Sequence, residues 1–428
     1  MHTMFALLFI GLVAWNIVLI YLMAVELGMH DFARFYYSAL AFWQGQDMYG
    51  LRPPEFTQIP ERLVKRQFGN MNPPHFHLLM LPFALLPPFF ALGVWGLLNG
   101  SCLYWSWKII KSESKLSLSA SHCWMIALGF LSFIGTHLVL FTAQLSWLVL
   151  LPMTLAWRAA RNGRWVWAGT YLGLVMSVKP FLGVFLPYCV LRREWNAVVT
   201  LCATSLLCFT VGLVIFGVPA HWAWLSTLSS IDWIAEELNA SLLGFFTRIL
   251  SEPSIYCTLS PLAVAPDLIY PLWVFSIVVV GGLTFAAARS GSTEAADIDR
   301  DFALLLLAAL LLSPLGWTYY LWFPLGPLVA LLRRWWLQAP ASTNPFPFFV
   351  LSWKHQLLLA ALPGLVWPIT ALSLFQPHAW ATVLIGSIYF WSTFCLWAAL
   401  IADWAMAGGT FAGAYRTIIK WEKVREQA

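Results

Sequence analysis

The chain has 428 residues, of which 60% are hydrophobic and 10% charged, with a formal net charge of +5. Soluble domains carry about 25% charged residues. A water-soluble core, a disordered chain and a nucleic-acid binder are therefore excluded, and the fold class is an all-α polytopic integral membrane protein.

A helix needs about 20 apolar residues to cross the hydrocarbon core. In chain order the apolar runs predict about 12 transmembrane helices, at 4–25, 90–107, 121–138, 143–159, 165–178, 181–191, 195–216, 270–288, 302–315, 318–332, 357–376 and 379–402. The first run is too long for a signal-peptide core and reads as a retained span. The spans at 143–159, 165–178, 181–191, 302–315 and 318–332 are short, broken by proline or followed at once by a polar turn. Such backbone is tolerated only where protein or a wet cavity satisfies it, which points to a site buried between helices. The stretch 76–88, with two prolines near its end, reads as an interfacial or re-entrant helix.

Charge sets the orientation. With the N-terminus in the cytoplasm, most of the 24 basic residues fall on the cytoplasmic side, among them Lys108, Arg158, Arg161, Arg192, Arg300 and Arg334. That bias is the positive-inside pattern and predicts both termini inside a cell inner (plasma) membrane. Two predicted outer loops, 26–74 and 217–269, are long and rich in Trp, Phe and Tyr. Long ordered loops carry function, so the working face is expected outside. It would be built from those loops and the turns near 139–144, 179–180 and 313–320. The chain reads as one domain, 1–428, without an internal repeat. Its seven cysteines show no zinc spacing and read as small hydrophobes; no cofactor and no metal are predicted.

Several polar residues stand out against this background. Asp31 opens a helical segment at 31–43. It suits an N-cap, and it equally suits a general base whose desolvation raises its proton affinity. Asn72-Pro73-Pro74-His75-Phe76-His77 fixes an extended entry to the next helix. His75 is open to an anionic ligand or to a plain interfacial role. Gln144 reaches sugar hydroxyls or caps a turn. Lys179, beside Pro180, has no other charge between Trp165 and Tyr188. An ammonium there costs about 2.5–3.5 kcal/mol, so it snorkels or binds a lipid-linked phosphate. Asn239 and Arg248 lie in LNASLLGFFTRIL; Arg248 is a phosphate fork or a surface residue. Trp317, Tyr319 and Tyr320, in SPLGWTYY, form an aromatic belt or a sugar platform.

Together these motifs resemble glycosyltransferase family 87. The likeness runs over 31–332. It rests on Asp31, Tyr36, Tyr37, Gly45, Asp47 and Tyr49, on NPPHFHLLMLPFALLP, on Gln144, on Lys179-Pro180, on NASLLGFFTR and on SPLGWTYY. The resemblance implies a GT-C-like bundle with two long extracytoplasmic loops. It also implies inverting transfer of a hexose, mannose first, from a polyprenyl-phosphate sugar donor to a lipid or glycan acceptor. Asp31 would be the base, and Tyr37, Asn72, His75, Gln144, Lys179, Asn239, Arg248, Trp317, Tyr319 and Tyr320 would contact substrates. Family members often carry a histidine after the Trp; here Thr318, Tyr319 and Tyr320 follow Trp317, so Tyr320 or His75 would stand in for it. Membrane lipids are expected partners. The alternative reading is a transporter or flippase of lipid-linked sugars.

Overall fold

The computed structural model describes residues 2–26, 30–49, 69–288, 294–338, 353–366 and 378–407. The described chain is helical, with no strand beyond an isolated antiparallel bridge between Asn239 and Trp317. In order, the helices are α1 (His2–Tyr21), α2 (His30–Trp43), α3 (His77–Met80), α4 (Pro88–Glu113), α5 (Ala120–Ser132), α6 (Ile134–Thr142), α7 (Ser146–Arg161), α8 (Trp165–Val178), α9 (Phe185–Leu191) and α10 (Trp195–Ser229). They continue as α11 (Leu242–Leu250), α12 (Ile269–Ala288), α13 (Ala295–Leu312), α14 (Leu325–Gln338), α15 (Trp353–Val366), α16 (Ala379–Leu384) and α17 (Ile388–Met406).

Four described helical stretches are long and apolar enough to span a membrane alone: Met4–Val25, Trp195–Ser229, Pro266–Ala288 and Ile388–Met406. A fifth forms if α5 and α6, bent by 52° at Phe133, act as one. The run at 90–107 lies within α4, a continuous helix of 26 residues; the remaining expected spans are shorter or interrupted helices. The run at 76–88 is a 3₁₀ turn at Pro74–Phe76, the single turn of α3 and a second 3₁₀ turn at Phe83–Leu85. The run at 318–332 opens as a 3₁₀ turn, Thr318–Trp322, before α14. The run at 195–216 continues past its expected end to Ser229 because Gly217 takes a φ of 76° and Pro219 restarts the helix. Glycine tolerates that φ, and proline suits a first helical turn. The second outer loop is thus helical at its start. Residues 27–29 and 50–68 of the first, and 367–376 of the span at 357–376, lie outside the described residues.

At the centre stands α13, whose residues from Phe302 to Leu311 are all buried. A helix apolar on every side belongs inside a bundle, and α12, α14, α17 and α7 pack around it. The periphery is apolar too: Leu7 is 65% exposed, Val214 77% and Val278 68%. Such continuous exposed hydrocarbon on α1, α10 and α12 is far more than a soluble surface carries and faces lipid. Helices α8 and α10 touch at backbone distance. A Cβ on Gly169 or Gly173 would collide with the carbonyl of Ala197 or Leu201. Ser205 Oγ also donates to the Gly173 carbonyl at 2.9 Å. Small residues allow this close approach in membranes, and it fixes the end of α8, where Lys179 sits.

The two ends of the bundle differ. At the N-terminal end of α13, Asp299 pairs with Arg161 (3.2 Å) and Arg334 (2.5 Å), and Asp301 with Arg192 (3.2 Å). Glu113 pairs there with Arg158 at 3.0 Å. These arginines are among those expected on the cytoplasmic side. The residues expected at the site gather beyond the opposite end of the same helix.

Candidate functional site

Asp31 lies in the first turn of α2 rather than before it, and its carboxylate meets side chains. Arg34, one turn later, donates to Oδ1 at 2.7 Å, and Gln144 Nε2 donates to Oδ2 at 2.8 Å. Gln144 can face this way because Ala143 ends α6 in the left-handed region, with φ 51°. Trp95 Nε1 holds the Ala143 carbonyl at 2.9 Å. The other end of the Gln144 amide accepts from the Leu145 N–H at 2.9 Å, so the side chain is fixed at both ends.

Lys179 arrives from the other side. It follows α8 with φ −129° and ψ 83°, and Pro180 starts a 3₁₀ turn after it. The broken helix turns the ammonium inward. Its Nζ donates to Asn72 Oδ1 at 2.9 Å and lies 5.3 Å from the centre of the Tyr320 ring. That combines a neutral acceptor with the negative face of an aromatic ring. The charge of Asp31 is felt at Lys179, Arg34, Tyr319 and Tyr320. Asp31, Gln144, Lys179 and Tyr320 therefore form one cluster, joined by Asn72 and Tyr319. Tyr319 and Tyr320 meet edge to face, with centroids 4.6 Å apart, and Trp317 stacks on Tyr319. Tyr37 is half-buried and packs edge-on against Tyr36.

The remaining expected residues are placed differently. His75 Nε2 bonds the Ser177 carbonyl at 3.0 Å, two residues before Lys179, and so braces the end of α8. Asn239 is wholly buried. Its Nδ2 donates to the Ile234 and Pro314 carbonyls at 2.9 and 3.0 Å. Its Oδ1 accepts from the Ser241 and Gly316 N–H groups at 3.2 and 2.8 Å. All four bonds are to backbone, so the amide welds the 234–241 loop to the turn carrying Trp317. Arg248, expected as a surface residue or phosphate fork, is 2% exposed. It donates to the Glu236 and Asn239 carbonyls at 2.8 and 3.0 Å and to Ser387 Oγ at 3.2 Å.

Sequence reasoning passed over Arg34 and Asn70, and left His77, in the motif after His75, without a place at the site. Asn70 Nδ2 donates to Ser38 Oγ at 2.7 Å and lies 2.8 Å from His77 Nε2, and its Oδ1 accepts from the Asn72 N–H at 3.1 Å. This knot sets the Asn72 side chain that receives Lys179. Burial lowers the His77 pKa to about 4 and that of His75 to about 4. The i, i+3 spacing of Asp31 and Arg34 was the available signal for Arg34; for Asn70 and His77 only their polarity in an apolar setting was legible. Among the described residues no group of three or more His, Cys, Asp or Glu gathers to hold a metal ion.

The profile of glycosyltransferase family 87 matches residues 70–314, more than half of the chain. That range holds Asn72, His75, Gln144, Lys179, Asn239 and Arg248. It leaves out Asp31 and the aromatic run at 317–320, which geometry alone adds to the group. A polyprenol-phosphate-mannose-dependent alpha-(1-2)-phosphatidylinositol mannoside mannosyltransferase of Mycolicibacterium smegmatis is 26% identical over 263 residues, 58% of this chain and 53% of that protein. The protein of the same description from Mycobacterium tuberculosis is 25% identical over 234 residues, 52% and 48%. The chain spans about half the length of these curated relatives. No solved structure matches it at a significant level.

Proposed function

Because the chain belongs to glycosyltransferase family 87, we propose that it is a membrane glycosyltransferase that moves a hexose, mannose first, from a polyprenyl-phosphate donor to a hydroxyl of a lipid or glycan acceptor. Transfer inverts the anomeric carbon and takes place on the extracytoplasmic face of the cell inner membrane. The relatives named for polyprenol-phosphate-mannose support the donor class and a glycolipid acceptor. The observation that carries the site is the meeting of a carboxylate and an amine from distant segments, Asp31 and Lys179, around Gln144 and Tyr320.

In this reading the acceptor oxygen attacks C1 of the donor while Asp31 takes its proton. The bond from C1 to the phosphate oxygen breaks, and its electron pair stays with the phosphate. Lys179 stands in low-dielectric surroundings where a fixed cation counts for more than in water. Tyr320, under the Lys179 ammonium, takes the place expected of the family's histidine; His75 serves by holding the end of α8 before Lys179. Trp317 and Tyr319 present flat rings for a sugar, and Tyr37 lines the approach. Asn239 and Arg248 act by shaping the turn beneath those rings. The arginine-rich end of α13 lies away from this cluster, which fits a site facing out of the cytoplasm.

The test is to incubate purified protein with radiolabelled polyprenyl-phosphate mannose, glucose and arabinose plus a membrane-lipid extract. Transfer from one donor is expected. Asp31→Asn should stay inserted and monodisperse while turnover falls by about 10²–10⁴-fold, the usual worth of a general base. Parent-like turnover by that variant removes Asp31 from the chemistry.

A further inference from the structure

We propose that Asn70 and Asn72 are positioning residues for the donor phosphate: together they hold the Lys179 ammonium by a neutral oxygen, so that its charge stays available to an anion. The inference rests on the glycosyltransferase reading above and adds how the cation is kept ready. Lys179 Nζ donates to Asn72 Oδ1 at 2.9 Å, and the centre of the Tyr320 ring lies 5.3 Å away. Among the described residues no carboxylate comes within ion-pair distance of Nζ; Asp31 is paired with Arg34, at 2.7 Å. An ammonium has three N–H donors and no acceptor. One hydrogen bond therefore leaves donors over on a side chain that is buried.

Backbone groups fix the direction of each bond leading to Lys179. The Asn72 N–H, which can only donate, meets Asn70 Oδ1 at 3.1 Å. The Arg34 carbonyl, which can only accept, lies 3.4 Å from Asn70 Nδ2. The Asn70 amide thus has one orientation, set by its network. Its Nδ2 donates to Ser38 Oγ at 2.7 Å, and Ser38 gives its own proton to the Met48 carbonyl at 2.7 Å. His77 Nε2, 2.8 Å from the same Nδ2, is likewise an acceptor, which leaves the ring proton on Nδ1, near the Pro73 and Pro74 carbonyls. Asn72 can then offer Asn70 Oδ1 only its Nδ2, at 3.4 Å, and its own Oδ1 must turn to Lys179. Tyr49 pins the Asn72 backbone by donating to its carbonyl at 2.7 Å. Ser38, Asn70, Asn72 and His77 are all buried.

The choice of an amide matters for charge. A carboxylate in the place of Asn72 would pair with Lys179 and cancel its charge before substrate arrived. An amide oxygen fixes the position of the ammonium and leaves the charge whole. A phosphate then meets a cation already in place, with no ion pair to break, which is the preorganisation that favours binding and charge stabilisation. A lone amide at 72 could turn by 180° and set its N–H groups against the ammonium. Asn70 holds it against that turn, and Ser38 and His77 hold Asn70.

The experiment measures equilibrium binding of farnesyl phosphate, with farnesol as the neutral control, to the full-length protein in nanodiscs. Asn72→Asp is expected to weaken farnesyl phosphate by about tenfold or more, the scale of one hydrogen bond to a charged group, and to leave farnesol unchanged. Asn72→Ala, which removes the tether without adding a charge, should weaken it less. Asn70→Leu should weaken farnesyl phosphate in the parent and change it little further in the Asn72→Ala background, because it acts through Asn72. A purely structural role would lower the two ligands together and add in full. This cycle carries the test if Asn72→Asp is not monodisperse, and Asn72→Asp carries it if Asn70→Leu is not. Parent-like phosphate affinity in Asn72→Asp, a loss there no greater than in Asn72→Ala, or full additivity in the cycle overturns this inference alone. A parent protein that does not distinguish farnesyl phosphate from farnesol overturns the glycosyltransferase reading itself, and this inference with it.

Discussion

Replacing Asn239 with alanine separates a structural weld from a sugar contact. The amide makes four hydrogen bonds, at 2.8 to 3.2 Å, all to backbone of the 234–241 loop and the 314–316 turn. A typical hydrogen bond contributes about 1 kcal/mol net, and a buried group left without its partner costs about 1–3 kcal/mol. Four such bonds in a wholly buried place put the loss at roughly 4 kcal/mol or more. Water cannot repair it, because Gly316 and Gly244 press close: a Cβ on Gly316 would strike the Leu310 carbonyl, and one on Gly244 would lie 2.7 Å from Asn239 Nδ2. Asn239→Asp should be no better, since its second oxygen would oppose the Ile234 and Pro314 carbonyls. At about 2–4 °C per kcal/mol for a sizeable domain, melting of the detergent-purified protein should fall by roughly 8 °C or more. In whatever folded fraction remains, the donor KM should change less than the melting temperature. An Asn239→Ala protein with the parent's melting temperature and a raised KM would refute this account and restore Asn239 as a substrate ligand.

Two other outcomes follow from geometry. Buried His77 keeps a pKa of about 4 against an ordinary value of 6.5, so the unfolded chain binds its proton first. Stability from this residue is therefore complete above pH 6.5 and is lost as pH falls from 6.5 toward 4, by about 3 kcal/mol at most. Protonation would also set an N–H of the ring against the Asn70 amide; His77→Gln should flatten the pH dependence of melting across that window. Gly173→Leu places a Cβ 2.5 Å from the Leu201 carbonyl and should cost at least about 1–3 kcal/mol by overpacking, with loss of turnover as the end of α8 shifts. Gly96→Ala, with nothing within 4 Å of its Cβ, is the control that should melt like the parent.

What the sequence disclosed followed from contrast. Lys179 was legible because an ammonium stands out in an apolar run, and Asp31 and Gln144 because each interrupts one. These three do converge, with Tyr320, although up to 289 positions separate them in the chain. Composition also made the helical membrane class plain. It did not disclose where helices break: α5 and α6 read as one run, and α10 looked finished at Gly217, because hydropathy does not record a backbone φ. The backbone bonds of Asn239 and the burial of Arg248 were hidden for a related reason. Polar side chains in a loop suggest ligands, yet a loop packed into a bundle has carbonyls and N–H groups of its own to satisfy, and these two residues do that work. Arg34 drew no notice because a basic residue one turn after an acidic one is ordinary on any helix.

A perturbed titration is a common pointer to an active site, and here it would point to the wrong end of the molecule. Burial pushes Asp299 up to about 6 and Asp301 up to about 7, values well suited to a general base. Both side chains, however, are 0% exposed and held by several donors. Trp157 and Arg334 bond Asp299; Tyr188 and Arg192 bond Asp301. A substrate hydroxyl could reach neither without dismantling the joint between α7, α9, α13 and α14. The raised values follow from sealing charge inside protein, and removing one partner of such a pair costs about 3–5 kcal/mol. Asp31 differs in the respects a base requires. Its side chain keeps 12% exposure, one of its donors is the Gln144 amide from a distant turn, and the Lys179 ammonium lies within its electrostatic reach. Reach decides the matter before proton affinity does, and by that order Asp31, not Asp299 or Asp301, is the carboxylate to propose as the base.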